Sequence, residues 1–379
     1  MQESPGGAAC NAAACNTPRN ILIVRVSSLG DVVHNMPMVA DLHQRYPQAK
    51  IDWVVEEAYV PLVRLNRGVR RVIPFALRRW RKSLFSGVTR GELAQFRQTL
   101  QEVHYDLVFD TQGLFKTALV MRLARLTPGG RRIGLANATE GSGYEPVSRI
   151  FHTHSVPVAL RAHAVARARA VAAAAWGGLS PSAHAPAFCL AAPPVSASAS
   201  AWLPSQPYAV FFHGTARSAK QWSVAHWIAI GHMLAGRGMQ VLLPWGSTAE
   251  KRTAQHLAAG IRGAIVLPML PMMDAVLLAQ RAALVVGVDS GLTHLAAAYG
   301  RPTVELYCDS PRWKTEGDWS DRIINLGDIG APPAVPEVID AITRLLAANV
   351  GADVGADANS DANSDPGVDA GANPDAGAA

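Results

Sequence analysis

The sequence predicts an α/β protein built as two Rossmann-like parallel-sheet domains facing across a cleft. Three observations lead there. Short β-branched runs alternate with stretches of helical periodicity, the pattern of strand–helix–strand units in a parallel sheet. The alternation comes as two series, separated by residues 177–207, where Ser, Pro, Ala and Gly dominate and periodicity fades. The chain has 379 residues, and setting aside both ends leaves residues 19–350, a length that suits two domains with substantial cores.

The elements follow in order. Residues 1–18, rich in Ala, Gly and Asn, are expected to be a disordered extension. The first domain is expected over 19–185. Its strands fall at 20–26, 51–56, 69–75 and 107–110, each short, apolar or β-branched, and bounded by turn residues. Its helices fall at 31–46, 92–103 and 115–126, where apolar residues return at helical spacing. The interdomain linker is placed at 186–207. The second domain, 208–350, repeats the scheme. Strands are expected at 208–213, 239–244, 264–267, 283–288 and 303–307, and helices at 224–236, 248–259, 272–281, 291–299 and 336–348. Residues 351–379 hold no aromatic, Leu, Ile or Met, so they cannot bury enough surface to offset ordering entropy and are expected to be a disordered acidic tail.

Charge narrows the partners. The two ends hold seven acidic residues and no basic one, so the body is seven charges more positive than the chain's +6. A basic body points to anionic partners: nucleic acid, a membrane surface or phosphorylated metabolites. Charged residues interrupt every apolar stretch before it could span a bilayer, and no basic region precedes an apolar run at the N-terminus. Neither a transmembrane helix nor a signal peptide is therefore expected. Cys10, Cys15, Cys189 and Cys308 show no CxxC spacing, which argues against a zinc site or a disulfide framework and fits a reducing cytoplasm.

Ligands of open α/β sheets bind beyond the carboxyl ends of strands, so the loops there carry the chemistry. Ser-Ser-Leu-Gly-Asp at 27–31 has one glycine where GxGxxG needs three, which argues against a nicotinamide or flavin cofactor. Asp31 stands where a helix begins. It reads as a first-turn acid favoured by the helix dipole, or as a general base at the cleft, and the two roles are compatible. Arg78, Arg79, Arg81 and Lys82 surround Trp80; they form a solvated loop or a site for a phosphorylated acceptor. With no recognised nucleic-acid module, this single patch is weak support for nucleic acid. In Asp-Thr-Gln-Gly-Leu-Phe-Lys at 110–116, Gln112 and Lys116 could reach a ligand; a tight turn using Gly113 is the competing, and simpler, reading.

In the second half, Thr215 and Lys220 follow a strand and fit a diphosphate, with Lys220 neutralising charge on a departing phosphate; a plain exposed lysine is the competing reading. Trp222 and Trp227 are expected to pack the next helix on its sheet. Glu250, just past Leu-Pro-Trp-Gly at 243–246, is either a ribose ligand or a helix-start acid. The sharpest signal is Asp-Ser-Gly-Leu-Thr-His-Leu at 289–295, where a strand ends and a helix starts at once. Ser290 can cap that helix, amides near Gly291 form an anion site, and Asp289 can bind sugar hydroxyls. His294 is a phosphate contact or a packed histidine. Ser290 lacks the GxSxG elbow of a hydrolase nucleophile.

These motifs, with Asp-Trp-Val-Val-Glu-Glu at 52–57 and Lys-Gln-Trp at 220–222, resemble the ADP-heptose glycosyltransferase family. They do so in order, from about residue 20 to 348, and the basic patch is most similar to the lipopolysaccharide heptosyltransferase I branch. The resemblance implies a GT-B fold and an inverting transfer of L-glycero-D-manno-heptose from ADP-heptose to Kdo-lipid A, with no cofactor and no catalytic metal. It implies Asp31 as base and Lys220 as the phosphate contact. Thr215, Glu250, Asp289, Ser290, Gly291 and His294 would serve the donor. Arg78, Arg79, Arg81, Lys82, Gln112 and Lys116 would serve the acceptor. A cytoplasmic enzyme touching the inner membrane peripherally, without nucleic acid, is expected. Two alternatives stand beside it: a related enzyme acting on an already heptosylated core, and a non-catalytic nucleotide-sugar-binding protein. The chain departs from the family pattern at Ala216, where a second threonine is usual, and at Tyr144, where arginine is expected before Glu145 and Pro146.

Overall fold

The structure is a computed structural model, and it describes residues 17–83, 85–178, 184–215 and 217–357. Six parallel strands make the first sheet: β1 (Asn20–Val24), β2 (Lys50–Glu56), β3 (Val69–Phe75), β4 (His104–Asp110), β5 (Arg125–Leu135) and β6 (His154–Val156). Their spatial order is β3-β2-β1-β4-β5-β6. The second sheet is likewise parallel: β7 (Tyr208–Phe212), β8 (Gln240–Leu243), β9 (Ile265–Val266), β10 (Leu284–Val288), β11 (Thr303–Tyr307) and β12 (Ile323–Gly327). It runs β12-β11-β10-β7-β8-β9. The two sheets fall on either side of the expected linker, as two doubly wound α/β halves.

Central strands are largely apolar because helices cover both faces. In register, Ile23 of β1 stands between Trp53 of β2 and Phe109 of β4, all fully buried. β7, β10 and β11 are buried at every position. Trp222 and Trp227 pack the helix Val224–Gly236 on the second sheet, as expected, with ring centroids 5.3 Å apart. Strand order reverses between β1 and β4 in one sheet and between β7 and β10 in the other. These switch points open a crevice at the strands' carboxyl ends. The loops there are the motif loops at 27–31, 110–116, 213–220 and 289–295.

The halves meet across that crevice. The helix Leu29–Asn35 lies against the helix Gly291–Ala298. A Cβ on Gly291 would fall 2.6 Å from Leu29 Cγ and 2.8 Å from the Gly30 nitrogen, so glycine alone fits this approach. His163 Nε2 bonds the Glu316 carbonyl at 3.0 Å, Arg161 covers the Trp313 ring at 4.8 Å, and Lys314 Nζ donates to the Gly141 carbonyl. The connecting segment is pinned down: Phe188 is buried against Trp319, and Ser196 and Ser198 both donate to Asp274.

Several expectations need correction. The helix expected at 31–46 is two, Leu29–Asn35 and Pro37–Arg45, because Pro37 cannot donate into the preceding turn. β5, β6, β12 and the helix Ala164–Ala173 went unforeseen. The last helix runs Val335–Asp357, so residues 351–357 are helical backbone and not tail. Residues 1–16 and 358–379, with Cys10 and Cys15, lie outside the described residues, as does Ala216. Cys189 and Cys308 are free thiols.

Candidate active site

A cavity of about 750 Å³ lies between the halves. Ser28, Gly30, Asp31 and His34 border it from the first half, and Thr215, Lys220, Asp289, Ser290, Gly291, His294 and Lys314 from the second. Nine of these eleven belong to the motif loops, so motifs far apart in sequence share one site. Glu250, Gln112, Lys116 and the basic patch do not line it.

Asp31 hangs from the first turn of its helix, a third exposed. Its Oδ2 accepts from the Ser28 nitrogen at 3.1 Å and the Ser28 hydroxyl at 3.0 Å. Its Oδ1 faces Arg25 Nη2 at 2.5 Å and Arg167 Nη2 at 3.6 Å. Burial works against its charge, but the two guanidinium groups and the Ser28 donors prevail and hold the carboxyl well below its usual range. Asp31 therefore closes a capping box on its helix and borders the cleft at the same time. Arg167, buried between Arg25 and Asp31, is pushed down to about 10 chiefly by desolvation.

The opposite wall is a chain of alternating charge. Lys220 Nζ donates to Asp289 Oδ2, and His294 Nε2 bonds Asp289 Oδ1 at 2.9 Å. His294 Nδ1 bonds Glu305 Oε1 at 3.0 Å, and the fully buried Glu305 also accepts from the Tyr307 hydroxyl at 2.8 Å. Burial opposes a charge on His294, yet Glu305 and Asp289 push it up to about 10. Asp289 is in turn held far below its usual range, its own burial outweighed by His294 and Lys220. Facing this chain from the first half, His34 is buried, stays neutral because burial and then His294 push its titration down, and stacks on His294 at 4.6 Å.

The structure corrects several expected roles. His294 is a packed histidine held between two carboxylates, so its ring nitrogens are not open to phosphate. Ser290 does not cap its helix; its hydroxyl pairs with Thr293 Oγ1 at 3.0 Å. Glu250 is not among the lining residues; at its helix start it accepts from the Gly246 nitrogen at 2.6 Å, and its side chain lies against Gly214. Gln112 is 8% exposed, and its amide oxygen accepts from the Val26 nitrogen, tying β1's loop to β4's. Asp110 organises that turn by accepting from Gln112, Gly113 and Thr117, and Gly113 adopts φ +72°. Lys116 is half-buried near Glu56, Arg81 and Arg78. Arg79 is occupied by Glu57 and Glu92, Trp80 is buried with its indole donating to Glu92, and Arg78 lies 3.9 Å from Glu56. Arg81 and Lys82 remain exposed. Tyr144 packs over Gly113.

Sequence reasoning missed Arg25, Arg167, Glu305, His34 and Lys314. Arg25 and Glu305 carried a signal: each is a lone charge in or beside an apolar strand, which costs heavily without a partner.

Comparison with known proteins settles the family. The model of glycosyltransferase family 9 (heptosyltransferase) matches residues 93–337. The chain belongs to that family. It is 40% identical to lipopolysaccharide heptosyltransferase 1 of Pseudomonas aeruginosa, over 76% of this chain and 78% of the relative. It is 38% identical to the heptosyltransferase 1 of Escherichia coli K12, over 76% and 87%. The structure of E. coli heptosyltransferase WaaC with ADP superposes with a TM-score of 0.73 at 33% identity, covering 86% of this chain and 99% of that one. Family membership agrees with the two-half architecture and with a cleft whose polar groups come from both sides. Among the described residues, no group of His, Cys, Asp and Glu side chains is arranged to hold a metal ion, and no helix is long and apolar enough to cross a membrane.

Proposed function

We propose that the chain transfers L-glycero-D-manno-heptose from ADP-heptose to the Kdo of Kdo-lipid A, with inversion, in lipopolysaccharide inner-core synthesis. The observation that carries this is the opposition, across one cavity, of Asp31 on the first half and the Lys220–Asp289 pair on the second. An inverting displacement needs that arrangement: a base on one face of the sugar and charge stabilisation for the leaving group on the other. The acceptor oxygen attacks the anomeric carbon, its proton passes to Asp31, and the carbon–oxygen bond to ADP breaks with its electron pair leaving on phosphate. Lys220 and the amides at Gly291 take up that charge. Thr215 borders the same pocket, and Asp289 is the natural partner of heptose hydroxyls. The structure of WaaC with ADP-2-deoxy-2-fluoro heptose, 33% identical over 87% of this chain, supports the donor assignment.

Identity favours the first acceptor over a heptosylated core. The chain is 36–40% identical to four heptosyltransferase 1 proteins but 25% identical to the heptosyltransferase 2 of Salmonella typhimurium. Arg78, Arg81, Lys82 and Lys116 are assigned to the anionic acceptor, which keeps its lipid in the membrane while the protein touches the cytoplasmic face peripherally.

ADP release and product mass with both substrates test the reading. Asp31→Asn should lower kcat by about 10²–10⁴-fold with donor affinity little changed. Near-native turnover, with chemistry rate-limiting, would remove Asp31 as base. Donor binding without ADP release at saturating acceptor would instead favour a binding protein.

A further inference from the structure

We infer that one face of the first half docks on an anionic bilayer through exposed apolar side chains set among cations. The inference rests on the proposed lipid-borne acceptor and names the surface that would bring the cleft to it.

Exposed large hydrophobics are not scattered evenly. Of twelve among the described residues, seven lie in three segments of the first half: Phe85, Val88 and Leu93; Phe115 and Leu119; Val147 and Ile150. Phe85 is 92% exposed, Val88 72% and Ile150 70%, so these side chains stand fully in solvent. The segments are neighbours. The helix Gly87–Gln101 packs beside the helix Phe115–Leu123, which packs on the turn Pro146–Phe151. The Phe115 and Phe151 rings lie 6.2 Å apart. Phe115, Leu119 and Arg122 share one helix face at positions i, i+4 and i+7.

Cations surround them. Arg81, Lys82, Arg90, Arg122 and Arg149 are exposed, and Lys116 feels both Arg78 and Arg81. The nearby acids are engaged within the protein. Glu57 and Glu92 hold Arg79, and Glu145 accepts from the Phe115 nitrogen at 2.6 Å. The face therefore presents net positive charge. Its apolar groups are separate knobs between cations, not a continuous greasy groove. That pattern matches an interfacial membrane contact, in which Phe, Val and Ile enter the headgroup–acyl boundary while Arg and Lys meet lipid phosphate. A protein partner of standard size would call for a contiguous, closely packed apolar centre. Arg81 and Lys82 belong to both the docking face and the acceptor patch, so a docked protein would meet a lipid sugar head without extracting its chains.

The test uses the full chain and vesicles that contain no acceptor. Wild type should sediment with mixed phosphatidylethanolamine and phosphatidylglycerol vesicles, far less with pure phosphatidylcholine, and less as salt rises. The Phe85→Ser/Val88→Ser/Ile150→Ser variant should lose at least about tenfold in vesicle affinity. Its melting temperature and its ADP release with a deacylated, water-soluble acceptor should be unchanged. Wild-type vesicle affinity in the variant would overturn the inference. So would a wild-type dimer that the substitutions dissociate, since the face would then join two copies of the chain. Because these vesicles carry no acceptor, a wild type that binds them yet releases no ADP with both substrates would sink the catalytic reading and leave the docking face standing.

Discussion

Replacing Gly291 by alanine tests whether the contact between the two halves is the working geometry. Gly291 has no left-handed backbone that alanine would strain, so the perturbation is steric. The added Cβ would lie 2.6 Å from Leu29 Cγ, 2.7 Å from Leu29 Cβ and 2.8 Å from the Gly30 nitrogen. Ordinary carbon contacts are roughly 3.5–4.0 Å, so about 1 Å must be found. The Leu29 tip can rotate, but the Gly30 nitrogen is backbone at the start of the helix that carries Asp31. Overpacking of this kind costs about 1–3 kcal/mol. Here the strain need not unfold anything, because the halves can part along the cleft. The closed population, and with it kcat/KM for both substrates, should fall by about 5- to 150-fold. The melting temperature should move little. The assay is steady-state ADP release with thermal melting and small-angle scattering, against Gly87→Ala, whose Cβ meets nothing within 4 Å. Unchanged kcat/KM would mean that turnover does not pass through this contact. A large fall in melting temperature without opening would mean that the joint is part of the fold.

Two further outcomes follow from the charges. His294 is raised to about 10 by Glu305 and Asp289 against the cost of burial, so its stabilisation is complete below its ordinary pH of about 6.5 and fades as pH climbs toward 10; melting temperature against pH should slope down across that window in wild type and be flatter in His294→Asn. Neutralising Arg78 and Arg81 together should raise acceptor KM, with the effect shrinking as salt rises, and leave ADP-heptose affinity unmoved; a selective loss of donor affinity would reverse the assignment of the two halves.

What was legible in the sequence depended on how local the physics was. β1 and β7 are central strands, buried on both faces, and so read as apolar runs, as does β2 apart from Asp52 and its two ends. β5 hid because it is half-exposed, carries Arg125, Arg131 and Arg132, and breaks register at Thr-Pro-Gly-Gly in its middle. β6 is a three-residue exposed edge, with no pattern to read. The helix Ala164–Ala173 buries both Arg167 and Arg169, and they make sense only beside Asp31 and Asp41, more than a hundred residues away. Likewise the motif loops declared the cleft, whereas the charges behind them did not. Arg25 and Glu305 stand out in sequence as charges that need partners, but nothing there says that the partners are Asp31 and His294. Gln112 went the other way: its position suited ligand binding, but its amide ties β1's loop to β4's, while Glu250 takes the helix-start place that was one of its two readings.

Those hidden partners bear on how the proposed chemistry would run. The charges proposed to act in the cleft are paired within the protein: Lys220 with Asp289, and Asp31 with Arg25 and Arg167. An unpaired buried ion is expensive, so the pairs keep the cavity stable while empty. In the proposed reaction a diphosphate entering beside Lys220 would compete with Asp289 for the ammonium, freeing a carboxylate oxygen for sugar hydroxyls. His294, anchored from behind by Glu305, keeps the other Asp289 oxygen in place during that exchange. On the acceptor side, the low acidity range of Asp31 keeps it ionised but makes it a weak base. Such a group cannot strip a ground-state hydroxyl. It can take the proton only late, once the attacking oxygen has begun to bond the anomeric carbon and become strongly acidic. In the proposed transfer, departure of ADP beside Lys220 and the Gly291 amides would then run ahead of proton transfer to Asp31.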